Sequence, residues 1–163
     1  MELPAATDWS WLENSVLATV IRDWIWLYPL VETVHILALA ILFGTVTMFD
    51  LRLLGFSHHL LVTDLVQFLL PWAYLSFGIA VLSGLLLFAV DATEIAVNPA
   101  FRWKLLLMTG AGINAASFHA GPFRSVKRWN RGIRVPTIVQ IIAGLSLILW
   151  TGVIICGRMI AYV

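Results

Sequence analysis

Long apolar stretches with almost no charged side chains constrain this chain more than any other feature. Of its 163 residues, 61% are hydrophobic and only 12% are charged, and the mean hydropathy is +0.93. A soluble domain needs a larger polar surface, so this composition predicts an integral membrane protein. A membrane-spanning helix takes roughly 20 apolar residues, which leaves room for about four spans and little else.

Four apolar segments and one amphipathic segment divide the chain. Residues 8–22 mix apolar and charged positions at helical spacing, which predicts a short helix in the membrane interface, capped by Asp8. The predicted spans are residues 30–54, 65–90, 103–119 and 136–156. We therefore expect an all-α integral membrane protein: a four-transmembrane-helix bundle with a short N-terminal interfacial helix, in a single membrane domain over residues 1–163.

Small residues follow a helical spacing in the third predicted span. Gly112, Ala116 and Ala120 are four residues apart and so lie on one face of a helix. Rows of this kind let two helices approach closely in a membrane. The row predicts the contact face of this span.

Basic residues indicate the orientation in the membrane. Five of them lie in the loop between the third and fourth spans: Arg124, Lys127, Arg128, Arg131 and Arg134. Lys and Arg are enriched in cytoplasmic loops, so this loop is expected in the cytoplasm and both termini on the outer side. Asp50 and Arg52 end the first span on the cytoplasmic side, where we expect them to pair locally or with the third span.

Charge and cysteine content narrow the classes of partner. A net charge of +1 gives no reason to expect a nucleic acid. The single cysteine, Cys156, rules out an internal disulfide and a Cys-rich metal site. Membrane lipid is the expected surrounding, and a quinone, a larger membrane complex or a homo-oligomer are the candidate partners.

Ionisable residues inside the apolar segments are the candidate functional residues. Glu32 and His35 are three residues apart, so they share a helix face, and Lys104 has a comparable depth in the third span. Such groups are costly in a membrane unless they pair or face a cavity. The three residues therefore predict a polar site near the outer end. In the alternative interpretation, Glu32 and Lys104 form a boundary salt bridge and His35 hydrogen-bonds a neighbouring helix.

A b-type haem is the cofactor that we expect at this site, with His35 as the candidate ligand of its iron. Glu32 would fix the imidazole orientation or meet an Arg that is bound to a propionate, and Lys104 would neutralise a propionate or act as the sixth ligand. The remaining candidate cofactor-binding residues are His119, at the end of the third span, and Arg158, at the end of the fourth.

The histidine spacing limits how a haem is held. His35 and His58 are separated by 23 residues, roughly 35 Å along a helix, so one haem cannot bridge them. With His35 as one ligand, the other is absent or is Lys104, Met108 or Met159. A bis-His haem would instead use His119 with His58 or His59 near the cytoplasmic end.

Several stretches resemble a family of small bacterial four-span membrane proteins, the domain-of-unknown-function family 6644. They are "WLYPLVETVHILALAILFGTVTMFDLRLLG", "LLPWAYLSFGIAVLSGLLLFAVDA", "NPAFRWKLLLMTGAGINAASFH" and "LSLILWTGVIICGRMIAY". With the orientation given above, this resemblance implies a multi-pass protein of the bacterial inner (cytoplasmic) membrane with both termini periplasmic.

Two more distant resemblances bear on function. The stretch "VHILALAILFGTVTMFDLRLL" looks like the first span of the membrane protoporphyrinogen oxidase family and of the copper-resistance membrane domain family. The stretch "WKLLLMTGAGINAASFH" is similar to the third span of the oxidase family. These resemblances imply that His35 is a haem-contacting residue, Lys104 a functional lysine and His119 a secondary position.

Three functions are compatible with these observations. The first is a membrane redox protein that binds one b-type haem near the outer leaflet and exchanges electrons with a quinone or a periplasmic partner. The second is a non-catalytic accessory or structural subunit of a larger membrane complex. The third is the handling of copper or of a small solute in the outer polar layer. Any enzymatic activity would be that of an oxidoreductase component.

Overall fold

The computed structural model of the chain describes residues 9–57, 59–130 and 135–162, and these contain helices but no strands. The helices are α1 (Ser10–Glu13), α2 (Val16–Asp23), α3 (Leu27–Leu53), α4 (Val62–Val90), α5 (Ala92–Val97), α6 (Pro99–Ala120) and α7 (Thr137–Met159), with a 3₁₀ segment, Pro122–Arg128, after α6. The four long helices coincide with the four predicted apolar segments, and their ends differ from the predicted ones by at most four residues. The all-helical expectation is confirmed.

Three of the long helices, α3, α4 and α7, are long and apolar enough to cross a membrane. The fourth, α6, is less apolar because it carries polar side chains along its length, including Lys104, Asn114 and His119. Its 22 residues nevertheless give a length of about 33 Å, close to the thickness of a bilayer core.

The N-terminal segment forms two short helices where the sequence predicted one. Ser15 interrupts the helix because its hydroxyl accepts a hydrogen bond from the backbone N–H of Ala18 and so caps α2. In α2, Ala18 and Ile21 are buried, whereas Val16 and Leu17 are exposed. The segment is amphipathic, but its apolar residues lie in two sets, of which one is buried and the other is exposed. The predicted cap Asp8 lies outside the described residues.

The long helices pack in the order α4, α3, α7, α6. The main contacts are between α3 and α4 and between α6 and α7, and α3 joins the two pairs through α7. The helices α4 and α6 approach each other little. The four long helices therefore leave one edge open, and a cleft lies between α4 and α6.

Glycine residues set the close antiparallel packing of α6 against α7. The contacts pair Lys104 with Gly157, Leu107 with Gly152, Gly110 with Leu149, and Asn114 with Ile142. A methyl group at Gly152 would lie 3.0 Å from a Leu107 methyl carbon, which is too close. Since the paired positions run in opposite directions along the two helices, α6 follows α7 over most of its length.

The predicted small-residue row lies elsewhere. Gly112, Ala116 and Ala120 are exposed, and no atom lies within 4 Å of the position that a Cβ of Gly112 would take. Close contact between helices comes instead from Gly110, Gly152 and Gly157, which the row did not include. Within the described chain, the row therefore does not form the predicted helix contact. Gly112 and Ala116 line a cavity, where small side chains leave space.

Arg52 joins two connecting segments at the end of the molecule formed by the α3–α4 and α6–α7 turns. It is 2% exposed; its Nε donates to the carbonyl of Leu60 at 2.8 Å and its Nη2 to the carbonyl of Asn130 at 3.1 Å. The Asn130 side chain in turn exchanges hydrogen bonds with Thr63 at the start of α4. Arg52 thus binds backbone carbonyls, and the expected pairing with Asp50 is not formed.

Candidate functional site

Two cavities lie one above the other along the cleft between α4 and α6. The first, the His35 cavity, has a volume of about 540 Å³, and the second, the Asp50 cavity, one of about 480 Å³. Both volumes are in the range of small-molecule and cofactor sites. Leu42, Phe77 and Trp150 belong to both linings. The residues that name the cavities are about 22 Å apart along α3.

The hydrogen bonds around His35 define its tautomer. Its Nδ1 atom is 2.9 Å from the hydroxyl oxygen of Ser83 on α4. The Ser83 hydroxyl donates to the carbonyl of Ile79 at 2.6 Å, so its proton is already used. With the Ser83 proton on the Ile79 carbonyl, Nδ1 of His35 carries the imidazole proton and donates to Ser83, which leaves a lone pair on Nε2. A neutral imidazole in this state is ready to bind a metal or accept a proton.

Gly84 provides the space for the His35 ring. A methyl group at position 84 would lie 3.1 Å from Cε1 and 3.6 Å from Nδ1 of His35. Any larger residue would push the imidazole away from α4 and from the Ser83 hydroxyl, which lies one residue earlier. Ser83 therefore holds the ring by a hydrogen bond, and Gly84 leaves the space that the ring occupies.

Three polar or soft side chains from α6 face the same cavity: Arg102, Lys104 and Met108. Lys104 and Met108 are four residues apart and so lie one turn apart on one face of the helix. The Nζ atom of Lys104 is close to Gly157 of α7, 3.6 Å from the position of a Cβ there. Lys104 therefore lines the cavity, and its Nζ atom lies beside the space that Gly157 leaves on α7.

Aromatic rings close the cavity at the end where α1 and α5 lie. Trp9 contacts Phe88 edge to face at a centroid distance of 5.6 Å, and Phe88 stacks on Phe101 at 5.2 Å. Glu13 of α1 accepts a hydrogen bond from the backbone N–H of Thr93 at 2.7 Å. This bond ties α1 to α5, so Trp9 stays over the cavity.

Two residues of the predicted site lie outside both cavities. Glu32 is exposed and does not line either one. Arg158 is also exposed, and its guanidinium donates to the Tyr162 hydroxyl and lies 4.9 Å from the centre of that ring. Of the predicted set, the structure brings together His35 and Lys104. The role expected for Glu32, orienting the imidazole, is filled by Ser83.

The Asp50 cavity contains the second group of polar side chains. Asp50 is 5% exposed, and its Oδ2 atom has no hydrogen-bond partner among the residues that the structure describes. The Ser146 hydroxyl on α7 is the polar neighbour of this carboxyl group. His119 and Asn114 line the same cavity from α6.

His119 is held among aromatic rings at the end of α6. Its imidazole meets Phe118 and Phe123 edge to face at centroid distances of 5.3 and 5.4 Å. His59 is exposed and lines neither cavity, and His58 lies outside the described residues. The structure therefore does not bring His59 and His119 together in one cavity.

Sequence reasoning missed the residues that position His35. Ser83 and Gly84 lie in a long apolar segment without any motif, and a single sequence does not reveal which turn of α4 faces which turn of α3. The only available signal was the dipeptide itself, a small polar residue followed by glycine in the middle of a span. Such residues are enriched where membrane helices make contact.

Comparisons with known proteins give no relative. Neither family models, nor curated proteins, nor solved structures match the chain. Within the three described ranges, no group of three or more His, Cys, Asp or Glu side chains is placed to hold a metal ion.

Proposed function

We propose that this protein is a four-span membrane redox protein that binds one b-type haem in the His35 cavity and exchanges electrons with a quinone or a periplasmic partner. The observation that carries the proposal is the 2.9 Å contact between Nδ1 of His35 and the Ser83 hydroxyl, which occupies one of the two ring nitrogens. Ser83 accepts the proton of Nδ1, so Nε2 is the nitrogen available to the haem iron. A bound haem would supply one-electron transfer.

The rest of the lining suits a large flat ring system with acidic substituents. Trp9, Phe88 and Trp150 provide apolar surface. Arg102 and Lys104 provide positive charge that would complement two propionates. Met108 and Lys104 are the candidates for a second axial ligand, because both belong to the lining on α6, whereas Met159 does not.

We also propose that α6 crosses the membrane. The support for this crossing is the antiparallel packing on α7, from Lys104 beside Gly157 to Asn114 beside Ile142. Because α7 is apolar and long enough to span a bilayer, a helix that follows it this far passes through the same depth. The cleft between α4 and α6 would then open toward lipid.

The orientation in the membrane is also part of the proposal. Arg124, Lys127 and Arg128 are exposed on the 3₁₀ segment, whereas Val126 and Trp129 are buried against the helix ends. Short basic segments are enriched on the cytoplasmic side of membrane proteins, so we expect this segment there. The His35 cavity would then lie near the outer, periplasmic face of a bacterial inner membrane.

A visible absorption spectrum of the detergent-purified protein, taken oxidised and dithionite-reduced, tests the haem. We expect a sharp α band on reduction and near-stoichiometric haem in a pyridine haemochrome assay. The substitution His35→Ala should abolish both signals. The matched control is His59→Ala, because His59 is exposed and lines neither cavity, and it should keep the wild-type spectrum.

Two results would contradict the proposal. One is a colourless wild-type protein produced in a haem-replete host; the other is an unchanged spectrum in folded His35→Ala. A colourless protein that copurifies with other membrane proteins would favour the alternative of an accessory subunit. The copper alternative would be tested by metal analysis of the same preparation.

A further inference from the structure

The Asp50 cavity has features of a ligand site that haem binding does not use. Asp50 is nine-tenths buried or more, and its Oδ2 atom meets no hydrogen-bond donor in the part of the chain that the structure describes. A buried carboxyl oxygen without a partner is costly, and native proteins rarely keep one. A hydroxyl group of a ligand would satisfy it.

The shape and lining of the Asp50 cavity indicate which kind of group would carry this hydroxyl. The lining is mostly apolar and contains aromatic side chains from four helices: Phe49, Tyr74, Phe77, Phe118 and Trp150. Gly112 and Ala116 on α6 leave the space between these rings open. Aromatic walls around an open slot accommodate a flat ring.

The position of the cavity indicates how the ligand enters. The helices α4 and α6, which flank the cleft, pack little on each other. Exposed apolar side chains continue along both helices, among them Phe68, Leu75 and Ile113. A ligand with an apolar tail would reach the cavity along this edge from the lipid, with its polar ring toward Asp50.

His119 supplies a second polar contact in the same cavity. It enters from α6, across the cleft from α4, whereas Asp50 enters from α3. Two hydrogen-bonding groups from different helices suit a ring with oxygen atoms at opposite positions. A hydroxyl can donate to Asp50 while another hydroxyl meets the imidazole.

We infer that the Asp50 cavity binds the ring of a lipid-soluble quinol, with Asp50 and His119 as its polar contacts. The binding site is inferred from the Asp50 cavity alone, whereas a role of this site in electron transfer depends on the proposed function. Asp50 lies about 22 Å along α3 from His35, so the effects of substitutions at the two sites can be distinguished.

Isothermal titration calorimetry with a benzoquinol that carries a ten-carbon alkyl tail tests the inference. The titration uses the full chain in detergent under nitrogen. We expect Asp50→Asn to weaken binding by about tenfold, because the amide replaces one of the two acceptor oxygens with an NH2 group that cannot accept the quinol hydroxyl. The matched control is Asp64→Asn, because Asp64 is exposed at the start of α4 and outside the lining; it should leave the affinity unchanged.

Further variants keep the result interpretable if Asp50→Asn does not fold. Ala116→Leu fills the slot without changing any charge and should also weaken binding. His35→Ala should retain quinol binding even where it loses haem, and Ala116→Leu should retain haem. The second probe is decylbenzene, which has the same ring and tail without hydroxyl groups.

The outcomes are distinct. Tight quinol binding that Asp50→Asn or Ala116→Leu weakens, together with weak binding of decylbenzene, supports the site. Equal affinity of both probes would mean that the cavity takes an alkyl chain only and would overturn the inference. Quinol binding that folded Asp50→Asn and Ala116→Leu both leave unchanged would overturn it as well.

Discussion

The imidazole of His35 on α3 and the hydroxyl of Ser83 on α4 are joined by a 2.9 Å hydrogen bond whose direction is fixed by a second one. When Ser83 donates to the Ile79 carbonyl of its own helix, 2.6 Å away, it accepts from His35. The neighbouring Gly84 leaves room for the ring. The contact between α3 and α4 thereby determines which nitrogen of His35 is free to bind a ligand.

Replacing Ser83 should affect the haem without disturbing the helix packing. In Ser83→Ala, Nδ1 loses its acceptor and the ring is free to rotate, so we expect haem affinity to fall by about 10- to 100-fold. Haem titration of the apoprotein measures the change, and Ser83→Thr should restore part of the affinity. The control is Ser76→Ala, because Ser76 is also buried on α4 but bonds only to Trp72 and Ala73 of its own helix. Equal effects of the two alanine variants would refute a positioning role for Ser83.

Adding a methyl group at Gly84 should displace the His35 ring. Since the new Cβ would lie 3.1 Å from Cε1, we expect Gly84→Ala to lower haem content or shift the reduced spectrum. The matched substitution is Gly78→Ala on the same helix, where nothing lies within 4 Å. It should leave the spectrum unchanged and stabilise the helix by about 0.5–1 kcal/mol. If Gly84→Ala gave a wild-type spectrum at full occupancy, the imidazole would not be held as described.

Removing the Asp50 carboxyl group should stabilise the protein. Asp50→Leu takes an incompletely paired polar group out of the interior, and the adjoining cavity of about 480 Å³ has room for the larger side chain, so we expect a gain of about 1–3 kcal/mol in the free energy of unfolding. Thermal unfolding in detergent without added quinol measures it. Asp64→Leu, at an exposed position, should change stability by no more than about 0.5 kcal/mol. A strong loss of stability in Asp50→Leu would mean that the carboxyl group has a structural partner.

The guanidinium of Arg52 should not be replaceable by an ammonium group. Lys has one nitrogen and cannot reach both the Leu60 and the Asn130 carbonyls, so Arg52→Lys should cost about 1–3 kcal/mol of unfolding free energy. The same thermal unfolding experiment measures the loss. Arg124→Lys, on the exposed side of the 3₁₀ segment, should be neutral. No difference between these two variants would argue against the role of Arg52 in joining the two segments.

Cysteine labelling from the two sides of the membrane tests whether α6 crosses it. In a Cys156→Ser background, Thr93→Cys lies before α6 and Arg124→Cys lies after it, and both positions are exposed. We expect a membrane-impermeant thiol reagent to label Thr93→Cys in intact cells and Arg124→Cys only after permeabilisation. Labelling of both from one side would mean that α6 does not cross.

Hydrophobicity and charge along the chain determined the helical class and the position of the long helices. The segments around Leu42 and Val81 are predominantly apolar over more than 20 residues, and this length and apolarity suit a membrane span under any tertiary arrangement. His35 and Lys104 were also found from sequence, because a polar residue in such a run has a high cost wherever it lies.

The tertiary structure decided which polar residues share a cavity. Glu32 is one turn from His35 in sequence, yet it is exposed, whereas Ser83, 48 residues away, holds the imidazole. The contact depends on the rotation of α4 against α3, which periodicity does not give for helices that are apolar on every side. The same holds for the open edge between α4 and α6. Side-chain shape at the contacts, such as Gly152 against Leu107, selects the neighbours of each helix, and that information exists only once the chain is folded.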